Sequence, residues 1–350
     1  MRKTRQILVG NVKIGGGTPV SIQSMTNTDT ADSVATLHQI DQLAAAGCQI
    51  ARCAVQNHDA LTPFGEICRL SPIPIVADIH FDHTLAIGAL ERGAACVRVN
   101  PGNLLSEKAA RDVAHKAAEM GRPIRIGVNM GSLSENAKAR YGRTPKAMVE
   151  SALQYVRLFE EEGCHALKVS LKASDVRTTV SACRMFAEKT DIPLHLGITE
   201  AGPVSCGIVK SAVGIGALLL EGIGDTIRVS LTAPPVEEIK AALRILEATG
   251  LRKAEPEIIS CPTCARTRID LMQLVSAVEK AIDELKASGH KFKVGSIAVM
   301  GCEVNGPGEA SNADIGIAGA ANKQGILFRK GRKITTLEAG ELLPALLKEL

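Results

Sequence analysis

The sequence predicts an α/β chain in which a (β/α)8 TIM barrel over residues 1–250 is followed by a small α+β domain over residues 251–350. Three observations predict it. Strand-like and helix-like stretches alternate eight times over roughly 230 residues, the number that such a barrel needs. No GxGxxG follows the first strand, which disfavours a doubly wound dinucleotide-binding sheet. The segment GLRKAEP at Gly250 to Pro256 reads as a linker, and the rhythm changes after it. Hydrophobic residues make up 45% of the chain and aromatics only 2%, with no Trp, so the core must be aliphatic. The same scarcity argues against a nucleic-acid reader built on stacking. A net charge of +4 without a basic run implies no polyanion partner.

The elements follow in order. Gln6 to Ile14 reads as a hairpin near Gly15-Gly16-Gly17. Strands are predicted at Val20 to Met25, Gln49 to Ala54, Ile75 to Ile79 and Cys96 to Asn100, then at Ile124 to Asn129, Ala166 to Leu171, Leu194 to Ile198 and Thr226 to Leu231. Ala31 to Ala46, Ser106 to Met120, Pro145 to Glu162 and Pro235 to Thr249 show the longer, helical spacing of apolar positions. Past the linker come a strand ending at Ser260, a helix over 266–287, strands over 294–299, 314–317 and 325–329, and a final helix from Leu337. The start, MRKTRQILVG, lacks the apolar run of a signal peptide, and no apolar stretch is long enough to span a bilayer. Cys48, Cys53, Cys68, Cys96, Cys164, Cys183 and Cys206 sit singly, as small buried hydrophobes do, and free thiols suit a reducing cytoplasm.

The predicted barrel strands concentrate charge. Arg52, Arg98, Arg125, Lys168, Lys172 and Arg228 lie on them, with Asn100, Asn129, Ser170 and Ser230 sharing faces at a period of two. Strands of a barrel are covered on both faces, so these cations need anions. Asp78 and Glu200 are too few to neutralise them. The surplus, on the side where barrel active sites form, calls for a multiply anionic ligand such as a diphosphate. Each cation taken singly is also compatible with an internal ion pair. His80 and His195 read more readily as hydrogen-bonded core histidines than as catalysts.

Near the end of the chain stand SCPTC at Ser260 to Cys264 and GCEVNGPGEA at Gly301 to Ala310. Cys261 and Cys264 can present two thiolates to one metal, and Cys302 a third. No fourth Cys follows, and Glu309 or Glu303 is the nearby oxygen ligand. The spacing alone admits a structural zinc site as well as a cluster with one weakly held iron. The turn Asn305-Gly306-Pro307-Gly308, which can fold Glu309 back, favours the second.

These two motifs resemble the iron–sulfur domain of the 4-hydroxy-3-methylbut-2-enyl diphosphate synthase family. VSIQSMTNTDT at Val20, VRVNPGN at Val97, RIGVNMGSL at Arg125 and ITEAG at Ile198 resemble its barrel, so the likeness spans nearly the whole chain. The resemblance implies a [4Fe–4S] cluster on Cys261, Cys264, Cys302 and Glu309, with Glu303 outside the ligand pattern. It implies substrate contacts from Arg52, Arg98, Arg125, Asn129, Lys172, Arg228 and Ser230, with Glu200 beside the reacting carbons. The implied reaction opens and reduces 2-C-methyl-D-erythritol 2,4-cyclodiphosphate by two electrons, with loss of water. A flavodoxin or ferredoxin donor and a head-to-tail homodimer come with it, in the short bacterial form of the family. The residues fit that chemistry independently, and Glu200 is the candidate proton donor, its alternative being a salt bridge. Two other readings stay open on the residues alone: a Schiff-base aldolase using Lys168 or Lys172 beside a zinc site, and a non-catalytic metal-binding sensor.

Overall fold

The computed structural model describes residues 1–350 except 101, 103–105 and 254–255, and it leaves the side chains of Ala287 and Glu309 undescribed. Parts of the VRVNPGN motif and of the linker therefore lie outside the described residues. The chain divides into two compact units, Met1–Leu251 and Arg252–Leu350.

In the first unit a hairpin, β1 (Ile7–Val9) and β2 (Val12–Ile14), precedes eight parallel strands. These are β3 (Ser21–Met25), β4 (Ile50–Ala54), β5 (Ile75–Asp78), β6 (Cys96–Val99), β7 (Ile124–Asn129), β8 (Leu167–Lys172), β9 (His195–Leu196) and β10 (Thr226–Ile227). They pair in the order β8-β7-β6-β5-β4-β3-β10-β9, and one bridge between Val169 and Leu194 joins the two ends of the ring. This is the nearly closed barrel that the alternation predicts.

The helices expected from the spacing are present as α1 (Ser33–Ala45), α4 (Glu107–Glu119), α6 (Pro145–Glu161) and α9 (Pro235–Ala248). Between them lie α2 (Leu61–Leu70), α3 (His83–Glu91), α5 (Glu135–Tyr141), α7 (Val176–Lys189) and α8 (Val204–Leu220). Side-chain oxygens mark several starts: Asp32, Asp82, Ser106, Ser134, Thr144 and Asp175 each accept from an amide two or three residues on. Such caps satisfy donors that the helix itself cannot.

The hairpin turns at Gly10, whose φ of 59° lies in the left-handed region. It buries Ile7, Val9 and Ile14 against Ile50, Val76 and Cys96 at the starts of β4, β5 and β6. One end of the barrel is thus stoppered by aliphatic side chains, and polar residues are left to the other.

The second unit holds one sheet in the order β11 (Glu257–Ser260), β12 (Ser296–Met300), β13 (Ile315–Gly319), β14 (Gln324–Arg329) and β15 (Arg332–Glu338). The first three run parallel and the last two antiparallel. The helix α10 (Leu271–Ala287) starts later than expected, because residues before it form a turn in which Thr267 N–H donates to the Cys264 carbonyl at 3.0 Å. The last helix, α11 (Leu342–Leu347), also starts late. Leu337 belongs to β15, whose β-branched Ile334, Thr335 and Thr336 suit an edge strand. Among the described residues no helix is long and apolar enough to cross a membrane.

Ile14 is 1% exposed within the stopper. Ile14→Ala is expected to destabilise the barrel by about 3 kcal/mol. Urea unfolding followed by circular dichroism should show a lower barrel midpoint with an unchanged starting spectrum.

Candidate active site and metal-ligand loops

Register sets the polar interior of the barrel. It places Met25 beside Arg52, Asp78 beside Arg98, Arg98 beside Arg125, Arg125 beside Lys168 and Asn129 beside Lys172. A cavity of about 200 Å³ opens among these strand ends. Its walls include Arg52, Arg98, Arg125, Asn129, Lys172, Arg228 and Ser230, with Asp78, His80, Ser170 and Thr199 between them. Two glycines make room. A Cβ on Gly127 would meet Arg98 Nε at 2.6 Å, and one on Gly197 would meet Lys172 Nζ at 2.6 Å. Both positions face inward, where a glycine in a strand signals a close approach.

Asp78 anchors one side. Its carboxylate lies 3.2 Å from Arg98 Nη1, 4.0 Å from Arg52 Nε and 3.4 Å from His80 Nε2. Burial pushes this carboxyl up, but Arg52, the His80 hydrogen bond, Arg98 and Arg125 outweigh it and hold Asp78 well below the carboxylate range. On the other side Arg228 Nη2 donates to Glu238 Oε1 at 3.3 Å. Glu238 is 4% exposed and also accepts from Ser24 Oγ at 2.8 Å and Leu231 N–H at 3.1 Å.

Glu238 escaped the sequence reading because it belongs to a helix. A carboxylate in the first buried turn of α9 was the available signal. Glu200, expected to share the neutralising role, does not line the cavity. It is exposed just past Thr199, with a φ of 52° that few non-glycine residues adopt. Among the described residues it makes no ion pair.

The remaining cations are buried with little compensation. Burial, then Arg52 and Arg98, drive Arg125 well below its ordinary range. Burial, then Arg125 and Arg228, do the same to Lys172. Lys168 is fully buried, has no hydrogen-bond partner among the described residues and is pushed down to about 8 by burial. His195 is also fully buried, and burial with Lys172 and Arg125 keeps it neutral. Its Nε2 accepts from Arg125 Nη1 at 3.2 Å. His80, expected in the core, instead stands at the cavity wall with its ring 45% exposed.

In the second unit, Cys261 directly follows β11, and Cys302 lies just past the end of β12. These are neighbouring parallel strands with Ser260 opposite Val299, so both thiols leave the same end of the sheet. Cys264 is exposed and Cys302 buried. Gly301 N–H donates to Cys261 Sγ at 3.3 Å. The Cys264 thiol is made more acidic, first by the Arg266 backbone N–H. A Cβ on Gly301 would meet Thr267 Oγ1 at 2.9 Å, so glycine lets the two loops close up. The Glu309 backbone lies in a π-helical turn, Asn305–Glu309, and its side chain lies outside the described part. Among the described residues no three His, Cys, Asp or Glu side chains are gathered as a metal site. The donor chemistry nevertheless fits thiolate ligation: amides point at sulfur, and two ligand loops start from adjacent strands.

The family model described as the GcpE TIM-barrel domain matches residues 4–243, and the one described as the GcpE protein C-terminal domain matches residues 257–350. A relative from Desulfotalea psychrophila, 4-hydroxy-3-methylbut-2-en-1-yl diphosphate synthase (flavodoxin), is 50% identical, with 100% of this chain and 95% of that protein covered. The protein of the same name from Geobacter sulfurreducens is 51% identical, with 99% and 97% covered. Among solved structures, Yersinia pestis dihydropteroate synthase superposes with a TM-score of 0.51 at 12% identity, over 70% of this chain and 98% of that one. Spore coat polysaccharide biosynthesis protein spsE of Bacillus subtilis gives 0.51 at 11% identity, over 71% and 75%. These last two are likenesses of fold alone.

Lys168 titrates near 8 in the folded barrel against an ordinary 10.5. Between those values the unfolded chain binds more protons at this lysine, so the Lys168 contribution to ligand-free stability should rise with pH from 8 towards 10.5, against the opposite slope from buried thiols such as Cys48 and Cys53, which burial pushes up. The full rise amounts to about 3 kcal/mol for this one group. Lys168→Met should remove this contribution, as the difference in urea midpoints between the variant and the unsubstituted protein at the two ends of the window would register.

Proposed function

The chain belongs to the GcpE family, whose curated relatives are 4-hydroxy-3-methylbut-2-en-1-yl diphosphate synthases, and it is an enzyme of that kind; on this premise we propose how its residues divide the work. The substrate is 2-C-methyl-D-erythritol 2,4-cyclodiphosphate of the non-mevalonate isoprenoid pathway. Its ring is opened and reduced by two electrons, and one oxygen leaves as water.

One observation carries the assignment of the barrel. The buried cations Arg52, Arg98, Arg125, Lys168 and Lys172, with the half-buried Arg228, outnumber the carboxylates of Asp78 and Glu238 that pair with them. A compact dianion supplies part of the missing charge. Arg52, Arg98, Arg125, Lys172 and Arg228 bind the two phosphates, the guanidinium forks favouring two-point contacts. Asn129 and Ser230 orient the remaining oxygens. The closed lower end of the barrel keeps water from beneath the ligand and strengthens every charge interaction there. Glu200, exposed beside cavity-lining Thr199, exchanges protons with solvent and donates one to the reacting end of the substrate.

Cys261, Cys264, Cys302 and Glu309 are the proposed ligands of a [4Fe–4S] cluster, which when bound supplies the single electrons that reductive cleavage of a carbon–oxygen bond requires. Glu309 is the weaker, oxygen donor of the set. A flavodoxin, named with the relatives, is the proposed electron donor, and a ferredoxin would serve by the same one-electron chemistry. The proposed assembly is a head-to-tail homodimer in which one subunit's barrel uses its partner's cluster. The ten free cysteines suit the reducing cytoplasm as the place of work.

Protein purified without oxygen should contain about four irons per chain, and Cys264→Ala should lose most of them. Glu200→Gln should keep its iron and lower kcat by about 100-fold or more. Iron-free protein that still converts the cyclic diphosphate would overturn this reading. Verified heterodimers of Cys264→Ala with Glu200→Ala should recover activity if the site is shared, and inactive ones would exclude a shared site.

A further inference from the structure

The end of the second unit that bears Cys264 and Gly301 also bears a groove of about 400 Å³. Ile269, Leu274, Ala277 and Leu343 give it an apolar floor, and the exposed Arg268 and Lys323 stand on its rim. Asp270 lines it too, but its carboxylate is turned to α10, where it accepts from Gln273 N–H at 3.0 Å. The groove adjoins the proposed ligands through the backbone. Arg268 N–H donates to the Gly301 carbonyl at 2.8 Å, next to Cys302, and Thr267 N–H donates to the Cys264 carbonyl. Lys323 is held on the turn between β13 and β14, where Asn322 and Lys323 both have a φ of 58°, as the two central residues of a tight hairpin turn require. None of these side chains belongs to the substrate cavity.

We propose that this groove is where the reduced flavodoxin docks to deliver its electrons. The partner is recognised by chemistry: an acidic surface surrounding the exposed apolar edge of a redox cofactor. The apolar floor receives that edge, while Arg268 and Lys323 meet the carboxylates around it. Electrons then have a short path through the backbone hydrogen bonds to Gly301 and Cys264. Two reduced carriers, each losing one electron, supply the two electrons of one turnover. Each must leave before the next arrives, so a small open groove with two rim charges suits the task better than an extensive interface. This rests on Cys261, Cys264 and Cys302 being the cluster ligands.

A second basic patch provides the control. Lys330, Arg332 and Lys333 are exposed at the turn between β14 and β15. Lys330 N–H donates to the carbonyl of Ala313, which precedes β13, so this turn lies at the opposite end of the sheet from Cys261 and Cys302.

The test titrates purified oxidised flavodoxin into the full-length, iron-loaded protein by calorimetry at low and at physiological salt. Arg268→Glu combined with Lys323→Glu should weaken binding about tenfold at low salt and flatten its salt dependence. Gln273→Trp, which fills the groove without altering charge, should weaken it at least about fivefold. Arg332→Glu combined with Lys333→Glu should change it less than about twofold. Turnover driven by dithionite should stay unchanged in all three. Affinity within about twofold of the unsubstituted protein in either groove variant, or an equal loss from the hairpin pair, would overturn the docking site. So would groove variants that dissociate the dimer in sedimentation while leaving flavodoxin binding intact, since a second copy would then be the occupant. If charge reversal costs iron, Gln273→Trp decides alone. Absence of dithionite-driven turnover in the unsubstituted protein would count against the enzymatic reading, whereas the docking site is judged on binding.

Discussion

Positive charge buried inside a barrel is the constraint on which the first unit depends. Arg98, Arg125 and Lys168 occupy adjacent register positions on β6, β7 and β8. Such an array is tolerated only where carboxylates and hydrogen bonds hold part of it and a ligand meets the rest. Asp78 fixes Arg52 and Arg98, and Glu238 reaches in from α9 to fix Arg228. His195 stays neutral and accepts from Arg125, since a charged imidazole would add to the surplus. The glycines at 127 and 197 and the aliphatic stopper of β1 and β2 follow from the same requirement: room for long cationic side chains above, and dryness below.

Much of this was legible in the sequence because parity along a strand is a strict rule. Once Arg125 and Asn129 are placed on one strand, they must share a face, and so must Lys168 and Lys172. Register then brings Arg125, Asn129 and Lys172 together in the cavity wall, while Lys168, beside Arg125 in register, is buried and does not line it. What escaped depended on contacts that no local pattern encodes. Glu238 reaches the site from a helix distant in sequence, and His80 is drawn to the rim by Asp78 and Arg98. Glu200, expected to close the seventh strand, lies beyond β9, which ends at Leu196, and has a left-handed backbone that sequence does not announce.

The second unit was legible in a different way. Its motifs are short and their meaning lies in spacing, so Cys261, Cys264 and Cys302 could be grouped before any strand was known. The sheet explains why that grouping is possible: β11 and β12 are neighbours and run the same way, so residues just past them emerge together. The misplaced final helix has a local cause. Leu337 continues an apolar pattern that fits either period, and only the pairing of β15 with β14 resolves it.

The ring of β3–β10 has a seam. β9 and β10 contribute two residues each, and a single bridge between Val169 and Leu194 links β9 to β8. Lys172 stands on one side of that seam and Arg228 on the other, both reaching the same cavity. A doubly charged guest held by both, as proposed for the substrate, would act as a rivet across this joint and couple occupancy to the mechanical integrity of the barrel.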